Sequence, residues 1–148
     1  MADILIVDDE AGARRLLMRC TDGLGHQIFE ADSADAALKV MAHRLTAVVF
    51  CDIQMPGQDG LWLTMELRKR YPTTAIILAT SVQTVPPRFS LQAGVLAYLV
   101  KPFQRPFVAN AVAAALKWHD EAVSAGPVTE DSGDWVPQWL DSLDRNWG

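Results

Sequence analysis

The chain has 148 residues, about the length of one globular domain, and half of them are apolar while 21% are charged. This composition excludes an intrinsically disordered or low-complexity protein. The net charge of −5 argues against a nucleic-acid surface, which needs clustered Lys and Arg, so we expect no DNA partner.

The sequence carries no pattern typical of a membrane-bound or exported protein. No apolar run approaches the roughly 20 residues of a membrane span, and the first ten residues, MADILIVDDE, carry acids where a signal peptide carries positive charge. We therefore expect a cytoplasmic protein without membrane contact. Two cysteines, Cys20 and Cys51, do not make a disulfide framework, so we interpret both as core residues, with a redox or metal role as the alternative.

Five short segments predict β-strands, in the order residues 4–7, 27–31, 47–50, 75–79 and 95–100. All but the second are mostly aliphatic and are bounded by polar or turn residues, which is typical of buried strands in a parallel sheet. The second segment is less apolar and predicts a strand nearer an edge.

Helical periodicity fills the first three intervals between these strands. Apolar residues along one face from Ala13 to Leu24 predict a first helix that Gly25 stops. Ser33 predicts the N-cap of a second helix, and residues 61–70 predict a third that ends before a Tyr-Pro pair.

The last two predicted helices differ from each other in length. Pro86 and Pro87 leave only residues 88–93 for a fourth helix. Pro106 suits the first turn of a fifth, over about residues 105–119, whose many alanines weakly favour an interface.

Strands that alternate with helices across short loops predict a doubly wound α/β fold with a parallel sheet, because parallel neighbours need helical crossovers. In such sheets the ligand site lies at the carboxyl ends of the strands. The residues that follow each strand are therefore candidates for the functional site.

Charged and polar residues follow four of the predicted strands. They are Asp8, Asp9 and Glu10 after the first, Asp52 after the third, Thr80 and Ser81 after the fourth, and Lys101 after the last. Each has an ordinary explanation: helix capping for Asp8 and Asp9, a strand-end hydroxyl for Thr80, and a solvated charge for Lys101.

Together these residues predict a more specific chemistry. Crowded carboxylates repel one another unless a cation neutralises them, and oxygen-only ligands suit a hard ion such as Mg²⁺. With a metal, a lysine and a hydroxyl to hold phosphoryl oxygens, one carboxylate could act as a nucleophile. The pattern therefore predicts an Mg²⁺-dependent phosphoryl-transfer site.

Five motifs resemble, in this order, the receiver domain of two-component response regulators over about residues 2–118. They are VDDE at 7–10, DIQMPGQDG at 52–60, AT at 79–80, AG at 93–94 and YLVKPF at 98–103. The resemblance implies a five-stranded flavodoxin-like, or CheY-like, sheet with strand order 2-1-3-4-5.

The resemblance also implies a role for each site residue. Asp52 would accept a phosphoryl group from a sensor histidine kinase or a histidine phosphotransfer protein. Asp9 and Asp52 would bind Mg²⁺ directly, Asp8 largely through water, and the backbone carbonyl of Gln54 would complete the protein ligands. Lys101 would pair with phosphoryl oxygens, Thr80 would hydrogen-bond one of them, and Tyr98 would be the aromatic switch or, alternatively, an ordinary half-buried tyrosine.

The turn after Asp52 has its own residue preferences. Pro56 and Gly57 favour a tight turn, and we expect Gly60 to adopt a backbone geometry that other residues resist. The turn would hold Asp52 at the rim of the sheet, accessible to a donor and a metal.

Residues 81–94, SVQTVPPRFSLQAG, depart from the family pattern, which has a longer fourth helix. This departure predicts either an unusual output surface or a shortened helix with unchanged signalling.

We expect a receiver domain over residues 1–120, a linker over 121–134 and a Trp-rich amphipathic tail over 135–148. Trp139, Leu140, Leu143 and Trp147 share one face of a helix too short to be stable alone. The tail could dock on the receiver, on a second copy or on another protein, and a homodimer could also use the fourth and fifth helices.

The sequence leaves two other functions open. One is a degenerate receiver that acts as a phosphorylation-independent scaffold. The other is an aspartate-nucleophile phosphatase, which normally needs a D-x-D motif where Asp8 and Asp9 are adjacent. If the chain is complete, no output domain fits after the receiver, so we expect signalling through an unknown downstream protein and no enzyme activity beyond self-phosphorylation and autodephosphorylation.

Overall fold

The computed structural model describes residues 1–55, 57, 59–80 and 94–125. Strands and helices alternate along this part of the chain, as the periodicity predicts. They are β1 (Asp3–Val7), α1 (Ala11–Thr21), β2 (Gln27–Ala31), α2 (Ala34–His43), β3 (Val48–Cys51), α3 (Gly60–Arg70), β4 (Ala75–Thr80), β5 (Val95–Val100) and α4 (Arg105–Ser124). The predicted helical segment 88–93, the linker residues 126–134 and the tail lie outside the described residues.

The five strands form one parallel sheet in the order β2-β1-β3-β4-β5, which confirms the predicted doubly wound fold and strand order. Ile4 of β1 pairs with Ile28 on one side and with Val48 on the other. The weakest predicted strand, β2, lies at an edge, where its half-exposed residues are tolerated.

Apolar side chains cover both faces of the sheet. Alternate residues of β1 point to opposite faces, so Ile4 and Ile6 pack with residues of α1 and α4. Leu5 and Val7 pack with residues of α2 and α3 on the other face. Burying a side chain of this size stabilises the fold by about 1.5–3 kcal/mol, which explains why β1 and β3 are almost entirely apolar.

Two helices differ in length from the prediction. α1 ends at Thr21 instead of continuing to Leu24, because the backbone becomes extended at Asp22 (ψ 136°) and Gly23 follows with a positive φ of 85°. Leu24 is exposed. The last helix extends to Ser124, so the first residues of the segment predicted as a linker are helical.

The helix starts follow local chemistry. Ser33 caps α2 as predicted, since its hydroxyl accepts a hydrogen bond from the Ala36 N–H at 3.1 Å. Pro106 lies in the first turn of α4, also as predicted. Within the described ranges, none of the helices is long and apolar enough to cross a lipid bilayer.

Candidate phosphoryl-transfer site

The strand ends place three charged residues at one edge of the sheet. Asp8, Asp52 and Lys101 directly follow β1, β3 and β5. The Asp8 N–H donates to the carbonyl of Ala31 at 3.1 Å, and the Asp52 N–H donates to the carbonyl of Val7 at 3.0 Å. The backbone ladder therefore continues one residue beyond each strand and fixes both carboxylates in relation to the sheet.

Asp8, Asp9 and Asp52 form an acidic cluster, and one carboxylate oxygen from each lies within 4.8 Å of the other two. Asp8 and Asp52 are buried, whereas Asp9 is exposed. Helix capping, the ordinary alternative for Asp8 and Asp9, does not apply, because Glu10 occupies the N-cap position of α1 and makes no side-chain capping bond. This donor set fits Mg²⁺, since all three ligands are oxygens and the exposed side leaves room for metal-bound water.

Lys101 is an ion-paired residue and not a solvated surface charge. Its Nζ lies 2.8 Å from Oδ2 of Asp8 and 3.5 Å from Oδ2 of Asp52, and only 16% of its side chain is exposed. Burial alone would lower the pKa of Lys101. The hydrogen bond to Asp8 and the negative charges of Asp52, Asp8 and Glu10 outweigh that effect, so its pKa is raised and the ammonium form is favoured.

Backbone donors orient the two buried carboxylates. Oδ1 of Asp8 accepts from the Glu10 N–H at 2.9 Å, and Oδ1 of Asp52 accepts from the Gln54 N–H at 3.2 Å. In each carboxylate one oxygen is thus held by the chain that follows it, while the other faces Lys101. Gln54 is exposed beside the cluster, and metal binding by its carbonyl stays a prediction.

The glycines after Asp52 serve two different purposes. Gly57 has a φ of 76°, which suits a tight turn. Gly60 is the first residue of α3, and the expectation of an unusual backbone geometry there is wrong. A Cβ at Gly60 would overlap the carbonyl oxygen of Asp52 and would lie 2.8 Å from the Cα of Ile53. Gly60 is therefore needed for close approach of backbone to backbone, and Pro56 lies outside the described residues.

Thr80 and Tyr98 lie on the two adjoining strands at this edge. Thr80 is the last residue of β4 and pairs with Val100. Tyr98 is half-buried and packs against the apolar residues that lie between the sheet and helices α2 and α3. Burial and the negative charge of Asp52 raise the pKa of Tyr98, so the phenol is favoured over the phenolate. Their switching roles stay predictions.

Both cysteines are buried free thiols, as the core interpretation requires. Cys51 precedes Asp52, and burial, followed by the charges of Asp52, Asp59 and Asp8, raises its pKa far above the usual range. It is therefore a protonated core residue next to the acidic cluster.

Arg14 and Asp59 contribute to the site although the sequence interpretation missed both. Nη1 of Arg14 donates to the carbonyl of Asp8 at 2.7 Å. Oδ1 of Asp59 accepts from the Trp62 N–H at 2.8 Å and caps α3. The capping residue was detectable, because an Asp just before a helical run is a strong N-cap signal. Nothing in the local pattern around Arg14 indicates its contact with Asp8.

Comparisons of the sequence with known proteins identify its relatives. A family model described as "Response regulator receiver domain" matches residues 4–113. The chain is 35% identical over 113 residues to the response regulator protein FleR of Pseudomonas aeruginosa, covering 76% of the chain and 24% of that protein. It is 29% identical over 132 residues to the KDP operon transcriptional regulatory protein KdpE of Escherichia coli, covering 89% of the chain and 59% of that protein.

Solved structures agree with the sequence matches. The receiver domain of NtrX from Brucella abortus has 30% identity and a TM-score of 0.70, with 78% of the chain and 98% of that domain covered. A CheY-like receiver domain protein from Methanospirillum hungatei JF-1 has 24% identity and a TM-score of 0.76 over 82% and 98% of the two chains, which shows the shared fold. The chain spans about a quarter of FleR and three fifths of KdpE, so the expectation that this chain has no DNA partner stays a prediction.

Proposed function

Because the chain belongs to the response regulator receiver family, we propose that Asp52 is the phosphoacceptor of a two-component phosphorelay and that its phosphorylation requires Mg²⁺. The observation that carries this proposal is the convergence of three carboxylates, from Asp8, Asp9 and Asp52, with the ammonium of Lys101. The phosphoryl donor would be a sensor histidine kinase or a histidine phosphotransfer protein.

The acidic cluster would hold the metal. Asp9 and Asp52 would bind Mg²⁺ directly, Asp8 largely through water, and the carbonyl of Gln54 would complete the protein ligands. When bound, Mg²⁺ supplies positive charge that neutralises phosphoryl oxygens. The exposure of Asp9 supports this arrangement, because Mg²⁺ keeps several of its waters.

Asp52 would act as the nucleophile. One of its carboxylate oxygens forms the new O–P bond while the P–N bond to the donor histidine breaks, and the departing imidazole takes a proton from solvent. Lys101, already 3.5 Å from Oδ2 of Asp52, is well placed to pair with the transferred phosphoryl oxygens. Thr80 would hydrogen-bond one of these oxygens, and Tyr98 would turn inward in response.

The proposed output is through protein contacts. The candidates are an unknown downstream protein and a second copy of the chain, reached through residues 88–93 with α4 or through the tail. The expected cytoplasmic location stays a prediction.

Acetyl phosphate tests the phosphoacceptor directly. We expect the full chain, incubated with acetyl phosphate and Mg²⁺, to gain one phosphoryl group by intact mass. Asp52→Asn should gain none, because the amide is not a nucleophile, and a chelator should prevent the reaction in the unchanged chain.

Two results would contradict the proposal. A folded, Mg²⁺-loaded chain that gains no phosphoryl group from acetyl phosphate or from phosphorylated histidine kinases would favour the degenerate scaffold. Multiple-turnover hydrolysis of small phosphorylated metabolites would favour the phosphatase.

A further inference from the structure

Arg14 connects three parts of the fold next to the acidic cluster. It lies in α1, its Nη1 donates to the backbone carbonyl of Asp8 at 2.7 Å, and its Nε lies 3.0 Å from Oε1 of Glu30 on β2. The Arg14 side chain is 17% exposed and that of Glu30 is 43% exposed. The guanidinium is therefore oriented by two contacts, one to the Asp8 carbonyl and one charge-assisted contact to Glu30.

The carbonyl of Asp8 is the point where the backbone leaves β1. The Asp8 N–H still belongs to the sheet, because it donates to Ala31 of β2. Its carbonyl bonds instead to Arg14, and its carboxylate is held by the Glu10 N–H and by Lys101. Rotation of the peptide between Asp8 and Asp9 would break the bond to Arg14 and would displace the Asp9 carboxylate.

We infer that Arg14 is a positioning residue for the metal site: by holding the Asp8 carbonyl, it sets the direction of the Asp8 and Asp9 carboxylates and so the affinity for Mg²⁺. Glu30 acts indirectly, because it orients the guanidinium of Arg14. This inference rests on the proposed Mg²⁺ site. Groups that orient metal ligands typically change metal affinity about 10-fold or more when they are removed.

A purely electrostatic role for Arg14 makes the opposite prediction. A cation next to an acidic cluster repels Mg²⁺, so its removal alone would strengthen metal binding. The pair with Glu30 separates the two roles, because removing both side-chain charges together leaves the net charge unchanged. A positioning role predicts weaker binding in that double variant, and a charge role predicts unchanged binding.

The test is a calorimetric titration of the full chain with Mg²⁺. We expect the Mg²⁺ Kd to rise about 10-fold in Arg14→Met and in the Arg14→Met/Glu30→Gln double variant. It should rise less in Arg14→Lys, which keeps the positive charge and one donor nitrogen. Arg15→Met is the matched control, because Arg15 is the exposed neighbour on the same helix and should leave the Kd within about 2-fold.

Two further readouts separate positioning from loss of folding. Urea unfolding without metal should show each variant folded, and the amide signals of Asp9 and Glu10 should shift in Arg14→Met but not in Arg15→Met. Phosphorylation by acetyl phosphate should be slow at low Mg²⁺ in Arg14→Met and should recover at saturating Mg²⁺, because the defect lies in metal binding.

The outcomes also separate this inference from the proposed function. An unchanged Kd in the folded double variant, while the unmodified chain binds Mg²⁺ and is phosphorylated, overturns the role of Arg14 alone. Tighter binding in Arg14→Met likewise overturns it in favour of the charge effect. If the unmodified chain binds no Mg²⁺, both the proposed function and the inference fail.

Discussion

At the scale of single residues, Lys101 lies closer to Asp8 than to Asp52. The two Nζ–Oδ2 distances are 2.8 Å and 3.5 Å. Without a metal, the ammonium neutralises part of the charge of two buried carboxylates that would otherwise repel each other. The same ammonium lies within reach of Asp52, so only a small movement would bring it to a phosphoryl group there.

Gly60 offers a residue-scale prediction about the support of Asp52. We expect Gly60→Ala to lower the free energy of unfolding by about 1–3 kcal/mol, because the added Cβ would overlap the Asp52 carbonyl and neither backbone can move freely. Urea denaturation measures the change.

Gly12→Ala is the control for this substitution. Gly12 is exposed in α1, and apart from its chain neighbours and its own helix backbone no atom lies within 4 Å of an added Cβ, so alanine should stabilise the chain by up to about 1 kcal/mol. Equal effects of the two substitutions would show that the close approach at Gly60 has no energetic importance.

At the scale of elements, the segment between β3 and α3 is attached at both ends. The Gln54 N–H bonds to Asp52 at its start, and Asp59 caps α3 at its end. The Gly60 N–H also donates to the carbonyl of Ile53 at 3.0 Å, which closes the segment on itself. These bonds link the start of α3 to the position of Asp52.

The cap on α3 leads to the element-scale prediction. Asp59→Ala should cost about 0.5–2 kcal/mol of stability, because the Trp62 N–H loses its acceptor at the helix start. Amide hydrogen exchange should show faster opening of the first turn of α3.

Two controls accompany Asp59→Ala. Asp59→Asn retains an acceptor and should keep most of the stability. Ser33→Ala removes the cap of α2 and should accelerate exchange there without affecting α3. Unchanged exchange in α3 of Asp59→Ala would mean that packing alone holds the helix start.

At the scale of the whole molecule, the parallel sheet brings distant residues to one place. Asp8, Asp52 and Lys101 are far apart in sequence, yet all three follow strands that end at the same edge. The aliphatic strands buried between two helix layers hold these ends together. Folding therefore brings these three charged groups together. For this reason the stability of the fold depends on the protonation state of the three groups.

The raised pKa of Lys101 predicts how stability changes at alkaline pH. A lysine whose folded-state pKa exceeds its unfolded value stabilises the fold fully below the unfolded value, about 10.4, and loses this effect as pH rises through the folded-state pKa. Without Mg²⁺ and near neutral pH, we expect the free energy of unfolding of the unmodified chain to be about 1–3 kcal/mol higher than that of the Lys101→Met variant. The difference should shrink above about pH 10.

Urea denaturation of both proteins from about pH 7 to about pH 11.5 measures this difference. Comparing the two removes the contribution of the other lysines and of the tyrosines, which titrate in both. A difference that stays constant over the whole range would show that the charge of Lys101 does not contribute to stability.

The sequence by itself determined the alternation of strands and helices, because aliphatic runs and helical periodicity follow from local burial. It also placed Asp8, Asp52 and Lys101 at strand ends, while the strand order came from the family resemblance of the motifs. Helix ends were less predictable: the backbone left α1 at Asp22, before the apolar pattern ended, and α4 continued beyond His119.

Only the tertiary structure decided the contacts that depend on how elements pack. Gly60 is required because the start of α3 lies against the Asp52 carbonyl. Arg14, in the first turn of α1, contacts both the Asp8 carbonyl at the end of β1 and Glu30 of β2. Neither contact leaves a periodic or spacing signal, because each depends on the distance between two backbones or between a side chain and a carbonyl. Local sequence patterns report burial and chain direction, and such distances exist only after the layers have packed.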